Sequence, residues 1–264
     1  MKPRTLLLSF LALCGSTMAN TPLTDPDAVH RARDGTIRVY GPGGPHTALQ
    51  KAAAIWSQQS GIPVKVIYGP ESRWTKAAQR DADLIFSASE QSMTAFLETY
   101  NFLDSRGVLP LYLQRSVIAV KKGNPKGIHG VEDLLTKSVG IVVTEGAGVY
   151  NTSGTGVWED VAGRSGKLSD VINLRGKIIA FEKGSGAAFS AFKRSEADAW
   201  ITWSDWPISH PNDASLVEIE PGRRIYRDMN VVVARGADIR THDFVHFLTT
   251  PAAVAIFAHD GWQR

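Results

Sequence analysis

Apolar and polar residues alternate along this chain in two rhythms that take turns. Ile37-Arg38-Val39-Tyr40 alternates with the period of a strand, and a Gly/Pro turn closes it. Leu49, Ala52, Ala53 and Trp56 then recur at the helical spacing, up to Gly61. The same exchange repeats downstream. Strands are expected at 64–68, 83–86, 116–120, 139–143, 178–181, 199–203, 216–220 and 229–234. Helices are expected around 74–79, 93–100, 131–135, 157–161, 187–194, 241–249 and 251–259. Strands alternating with helices across short Gly/Pro breaks predict an α/β fold with a mainly parallel sheet. No internal repeat or low-complexity tract interrupts the pattern.

The first residues follow another logic. Lys2 and Arg4 precede the apolar run Leu6–Leu13, and Ser16-Thr17-Met18-Ala19 follows it. A basic start, a short apolar stretch and a small residue at the end form a secretory signal peptide, expected at 1–19 with cleavage after Ala19. The run falls well short of the ~20 residues of a bilayer span. The competing reading is a lipoprotein acylated at Cys14, which puts the bulky Leu13 where a small side chain is needed. Secretion points to the periplasm. Residues 20–35 lack a period and are read as an N-terminal arm.

Composition narrows the chemistry. Of 264 residues, 43% are hydrophobic and 21% charged, a globular balance. Lys and Arg number 29 against 26 Asp and Glu, with no basic run, so nucleic acid is not an expected partner. Cys14 is the sole cysteine, which excludes an intramolecular disulfide and a multi-cysteine zinc site. The seven histidines form no His-Glu-x-x-His spacing, and no Gly-x-Ser-x-Gly elbow is present. No cofactor is expected, and a binding protein is favoured over an enzyme.

In α/β sheets, ligands sit beyond the carboxyl ends of strands, often at helix N-termini. Four such corners carry suitable donors. Gly41-Pro42-Gly43-Gly44-Pro45-His46-Thr47 combines a backbone that can approach a ligand with the positive end of a helix. It is neither a Walker loop nor Gly-x-Gly-x-x-Gly, and a tight turn with Thr47 as helix cap explains it equally well. Glu145 to Gly156, with Asn151-Thr152-Ser153-Gly154-Thr155, concentrates hydroxyl and amide donors for an oxyanion, against the alternative of a flexible Gly/Ser/Thr loop. Gly69-Pro70-Glu71-Ser72-Arg73-Trp74 offers a guanidinium, although a solvated surface cation is the commoner fate of an arginine. Phe86-Ser87-Ala88-Ser89-Glu90 is equally consistent with simple N-capping. Trp203 ends a strand and reads either as a pocket wall or as core.

Five segments carry a resemblance: Tyr40 to Leu49, Ala82 to Glu90, Glu145 to Gly148, Asn151 to Asp160, and Ala197 to Trp203. With them the chain, from about residue 36 to its end, resembles the AcfC/PEB3-like accessory colonisation factor family, a branch of the type II periplasmic solute-binding proteins. The resemblance implies two Rossmann-like α/β lobes joined by two crossing hinge strands, lobe one spanning 36–115 plus 226–264 and lobe two 116–225. It implies a small anion, such as citrate or a phosphorylated three-carbon acid, held in the cleft. Gly43, Gly44, Thr47, Ser72, Trp74 and Ser89 would contribute from lobe one, and Thr152, Ser153, Gly154 and Thr155 from lobe two. Arg115 would be a cation at the hinge. Val149 stands where some relatives carry lysine, which favours a smaller or less charged anion. The implied partners are an ABC-transporter membrane component and, since family members can be dimers, a second copy. A surface-exposed adhesin with a secondary cleft is the alternative function.

Overall fold

The computed structural model describes residues 24–31, 34–145 and 157–264. The signal-peptide segment, Val149, Thr152, Ser153, Gly154 and Thr155 lie outside the described residues.

The first half runs β1 (Ile37–Gly41), α1 (His46–Ser60), β2 (Val64–Tyr68), α2 (Thr75–Asp81), β3 (Leu84–Phe86) and α3 (Glu90–Thr99). Leu49, Ala52, Ala53 and Trp56 form the buried face of α1. Gly61 ends that helix in the left-handed region at φ 73°, returning its N–H to the Ser57 carbonyl, a position that favours glycine. The Ser89 hydroxyl caps α3 by accepting from the Ser92 N–H.

The chain continues through β4 (Leu109–Lys121), α4 (Val131–Thr136), β5 (Ile141–Thr144), α5 (Val157–Gly163), α6 (Leu168–Arg175) and β6 (Ile178–Glu182). Then follow α7 (Ser185–Arg194), β7 (Ala199–Trp203), α8 (Asp205–Ser209), β8 (Ala214–Glu218), β9 (Tyr226–Val233), α9 (Arg240–Phe247) and α10 (Pro251–His259). The strands order as β2-β1-β3-β9-β4-β7-β5-β6, with β8 also on β4.

β1 pairs with β2 and β3, and β5 with β6 and β7, in parallel. Those made by β4 and β9 are all antiparallel. The sheet is therefore mixed rather than mainly parallel. The reason is connectivity: strands that carry the chain out of one half and back into it run in opposite directions. β4 also begins at Leu109, seven residues earlier than its alternation suggests. From Leu109 to Arg115 it pairs with β9, and from Ser116 it pairs with β7. At the switch, the Ser116 N–H donates to the Ile225 carbonyl at 2.8 Å and the Ile225 N–H to the Ser116 hydroxyl at 2.9 Å. The two crossings thus sit side by side.

The core divides accordingly. One buried cluster draws only on residues from Ile118 to Ile225, with Trp200, Phe192 and Ile141 fully enclosed. Two others flank the first half of the sheet. One contains Leu49, Phe86, Tyr112 and Phe257, the other Tyr40, Trp74, Phe96 and Tyr100.

Candidate ligand site

The corner after β1 faces α8, which follows β7. Gly43, Gly44, His46 and Thr47 on one side, with Asp205, Trp206, Ser209 and His210 on the other, line a crevice of about 10 Å³. That is room for roughly one water. Pro45 precedes α1 and no side chain caps the helix, so the positive end of a 15-residue helix opens beside the crevice. Thr47 lies inside the first turn and is not the cap. His46 packs its ring on Tyr68 at 3.8 Å between centroids, and its Nδ1 bonds to the Gly43 carbonyl. Burial holds the His46 imidazole below its usual range, with the Gly43 bond opposing.

Asp205 is the unexpected member. The residue is 5% exposed and its Oδ1 has no hydrogen-bond partner among the described residues. Oδ2 lies 3.6 Å from where a Cβ on Gly44 would stand, so the carboxyl rests against the glycine corner. Burial pushes this carboxyl up to about 8; backbone N–H groups of Asp205 and Trp206 oppose the rise and Asp260 adds to it. The Trp203 and Trp206 indole N–H groups are likewise buried without acceptors among the described residues. On β4, Gln114 donates to the Ala88 carbonyl at 3.0 Å, while its Oε1 has no partner among the described residues.

The structure thus gathers Gly43, Gly44 and Thr47 in one crevice, and Ser72, Trp74, Ser89 and Arg115 are not among its lining residues. Ser72 is exposed. Trp74 is 2% exposed, stacked near Tyr100, and its N–H is bonded to the Gly69 carbonyl at 3.1 Å. Its one donor is spent on bracing the loop. The Ser89 hydroxyl is fully buried and engaged with Ser92. Arg115 meets Glu218 at 2.8 Å, and Arg224 joins the same carboxylate at 3.2 Å. Pairing with Arg115 holds the Glu218 carboxyl below its usual range despite partial burial. Sequence reading passed over Asp205, although it stands where a fully buried strand meets a helix, the rule that selected the other corners.

A wider groove of about 470 Å³ runs along Gly107, Leu109, Val231, Ile239 and Val245. It is lined by residues of β4, β9 and α9 and of the segments beside them, apart from the glycine corner. Among the described residues no cluster of three or more His, Cys, Asp or Glu could hold a metal, and no helix is long and apolar enough to cross a membrane.

Two α/β halves, crossed twice by the chain and meeting over a glycine corner and a helix end, define a type II periplasmic binding protein. The chain belongs to the family of bacterial extracellular solute-binding proteins, which it matches over residues 37–263. It is similar to PEB3 from Campylobacter jejuni, at 43% identity and a TM-score of 0.81, over 86% of this chain and 99% of that one. The structure of L-phospholactate-bound PEB3 superimposes with a TM-score of 0.83 at the same identity and coverage. The fold is shared with the sulfate-binding protein SubI from Mycobacterium tuberculosis (18% identity, TM-score 0.71, 87% of this chain and 86% of that one). It is also shared with the periplasmic molybdate-binding protein of Azotobacter vinelandii (16%, TM-score 0.67, 86% and 99%). No curated protein sequence matches this chain. Family and neighbours are binding proteins, and none favours the adhesin alternative.

Proposed function

We propose that this protein is a periplasmic receptor for a small organic anion carrying a phosphate or carboxylate group, which it delivers to an ABC-transporter membrane component. The observation that carries the reading is the crevice in which the Gly43–Gly44 corner and the open N-terminus of α1 face Asp205 and Trp206. The uncapped backbone N–H groups of the helix end, the helix dipole and the Trp206 indole suit an oxyanion. L-phospholactate, bound in a structure of PEB3, supports this chemical class.

The proposed lobes are 36–115 plus 226–264 and 116–225, hinged where Ser116 meets Ile225. The separate buried clusters support this division. A crevice of about 10 Å³ is far below the ~300 Å³ or more of a small-molecule site, so the lobes open to admit the anion and close on it. Export through the 1–19 leader would place the receptor in the periplasm, with Thr152, Ser153, Gly154 and Thr155 completing the site from lobe two.

Thermal melts with L-phospholactate, phosphoglycerate, citrate, phosphate, sulfate and molybdate test the reading. At a hundredfold excess over Kd, a true ligand stabilises by about 2.7 kcal/mol. That should raise Tm by roughly 5–10 °C in a chain of this size. An unmoved Tm with every anion would refute the function. Thr152→Val and Thr155→Val should each weaken binding by about 10- to 100-fold, the worth of a hydrogen bond to a charged group, with Tm of the free protein unchanged. Unchanged affinity in both would remove these residues from the site.

A further inference from the structure

We propose that the bound anion and Asp205 share one proton, so that binding of a fully ionised anion takes a proton from solvent once Asp205 is itself ionised. The inference rests on the anion-binding reading of the crevice. Asp205 is buried, with Oδ1 unpartnered among the described residues, and its carboxyl lies against Gly44, the corner offered to the ligand. A carboxylate and a second anion about 4 Å apart at an effective dielectric of about 20 repel enough to weaken binding by roughly a thousandfold.

Among the described residues, no lysine or arginine lines the crevice to relieve that repulsion. Lys51 is committed to Asp260 at 2.5 Å and Arg115 to Glu218 at 2.8 Å. The groups facing Asp205 are His46 from α1, His210 beyond α8, and Asp260 from the C-terminal corner. Imidazoles are ordinarily neutral above pH 7. His46 is held low by burial, and Asp260 adds negative charge. A proton between the two acids removes the conflict. A protonated Asp205 donates to an ionised ligand oxygen, or a ligand hydroxyl donates to the Asp205 carboxylate, and both arrangements contain the same atoms. A carboxyl pushed up to about 8 in the free protein carries this proton at neutral pH.

The test is calorimetric titration of L-phospholactate, whose phosphate is fully ionised well above pH ~6. Wild-type protein is compared at about pH 7 and about pH 9.5, each in two buffers of different ionisation heat. The expected result is a Kd about 30-fold weaker at the higher pH, with uptake of close to one proton there and close to none at pH 7. Asp205→Asn keeps a donor that does not titrate, and its Kd should be flat across the range. If that variant fails to fold, the wild-type proton count decides alone. Equal wild-type Kd at both pH values without proton uptake would overturn the shared proton and leave the anion receptor intact. A parallel pH loss in Asp205→Asn would overturn it as well. Absence of L-phospholactate binding at pH 7 would overturn this inference together with the ligand class it rests on.

Discussion

Replacing Gly41 by alanine should lower Tm by roughly 6–12 °C. Gly41 closes β1 directly over Phe86, and an added Cβ would lie 2.3 Å from the Phe86 carbonyl oxygen and 2.7 Å from two of its ring carbons. Phe86 is completely buried and its backbone belongs to β3, so neither contact can swing aside. Overpacking of this kind costs about 3 kcal/mol when a backbone atom must move. In a chain of this length each kcal/mol is worth about 2–4 °C. Gly43→Ala is the matched control. Among the described residues nothing lies within 4 Å of its added Cβ, and Tm should hold. Thermal unfolding followed by circular dichroism separates the two, and equal melting of Gly41→Ala and wild type would disprove the close packing of β1 on Phe86.

Glu71→Gln should stabilise the protein above neutral pH. Glu71 opens the single turn Glu71–Arg73 and is 3% exposed; its Oε1 accepts from the Tyr100 hydroxyl at 2.9 Å. Burial pushes its carboxyl up from 4.5 to about 7, with the Tyr100 bond opposing, and burial raises the Tyr100 phenol in turn. The folded protein therefore holds the Glu71 proton more tightly than the unfolded chain does. Between pH 4.5 and 7 the native state binds more protons, so stability falls as pH rises through this window and levels off above it. The shift corresponds to about 3 kcal/mol. Glutamine retains an acceptor for Tyr100 and never ionises. At about pH 8 the variant should melt roughly 6–12 °C above wild type, and near pH 4.5 the two should coincide. Identical melting at both pH values would show that Glu71 does not ionise at the expense of the fold.

The strands and helices were largely legible because each is written in its own window of residues. Leu49, Ala52, Ala53 and Trp56 can face one core only if the segment is helical, and the buried run Ala199–Trp203 can only be a strand inside a sheet. The short elements α6 and α8 were missed. Neither carries enough turns for a period to emerge, and Leu168 and Ile172 of α6 are exposed apolar residues that blur it. The early part of β4 escaped for a similar reason, since Leu109 and Leu113 are exposed while Gln114 is buried, against the usual polarity of a strand.

Glycines and a strand-end position sufficed to mark Gly43, Gly44 and Thr47, which the structure gathers in one crevice. They did not disclose that the Trp74 N–H is committed to Gly69, or that Arg115 is neutralised by a glutamate 103 residues away. By itself, then, the sequence determined the element types, the glycine corner and the strand ends that open into loops, because sterics and periodicity act over a few residues. Only the tertiary structure decided where β4 changes partners, which donors remain unspent, and that Asp205 lies buried against Gly44. Solvent exclusion and charge pairing depend on groups that the fold brings together from far along the chain.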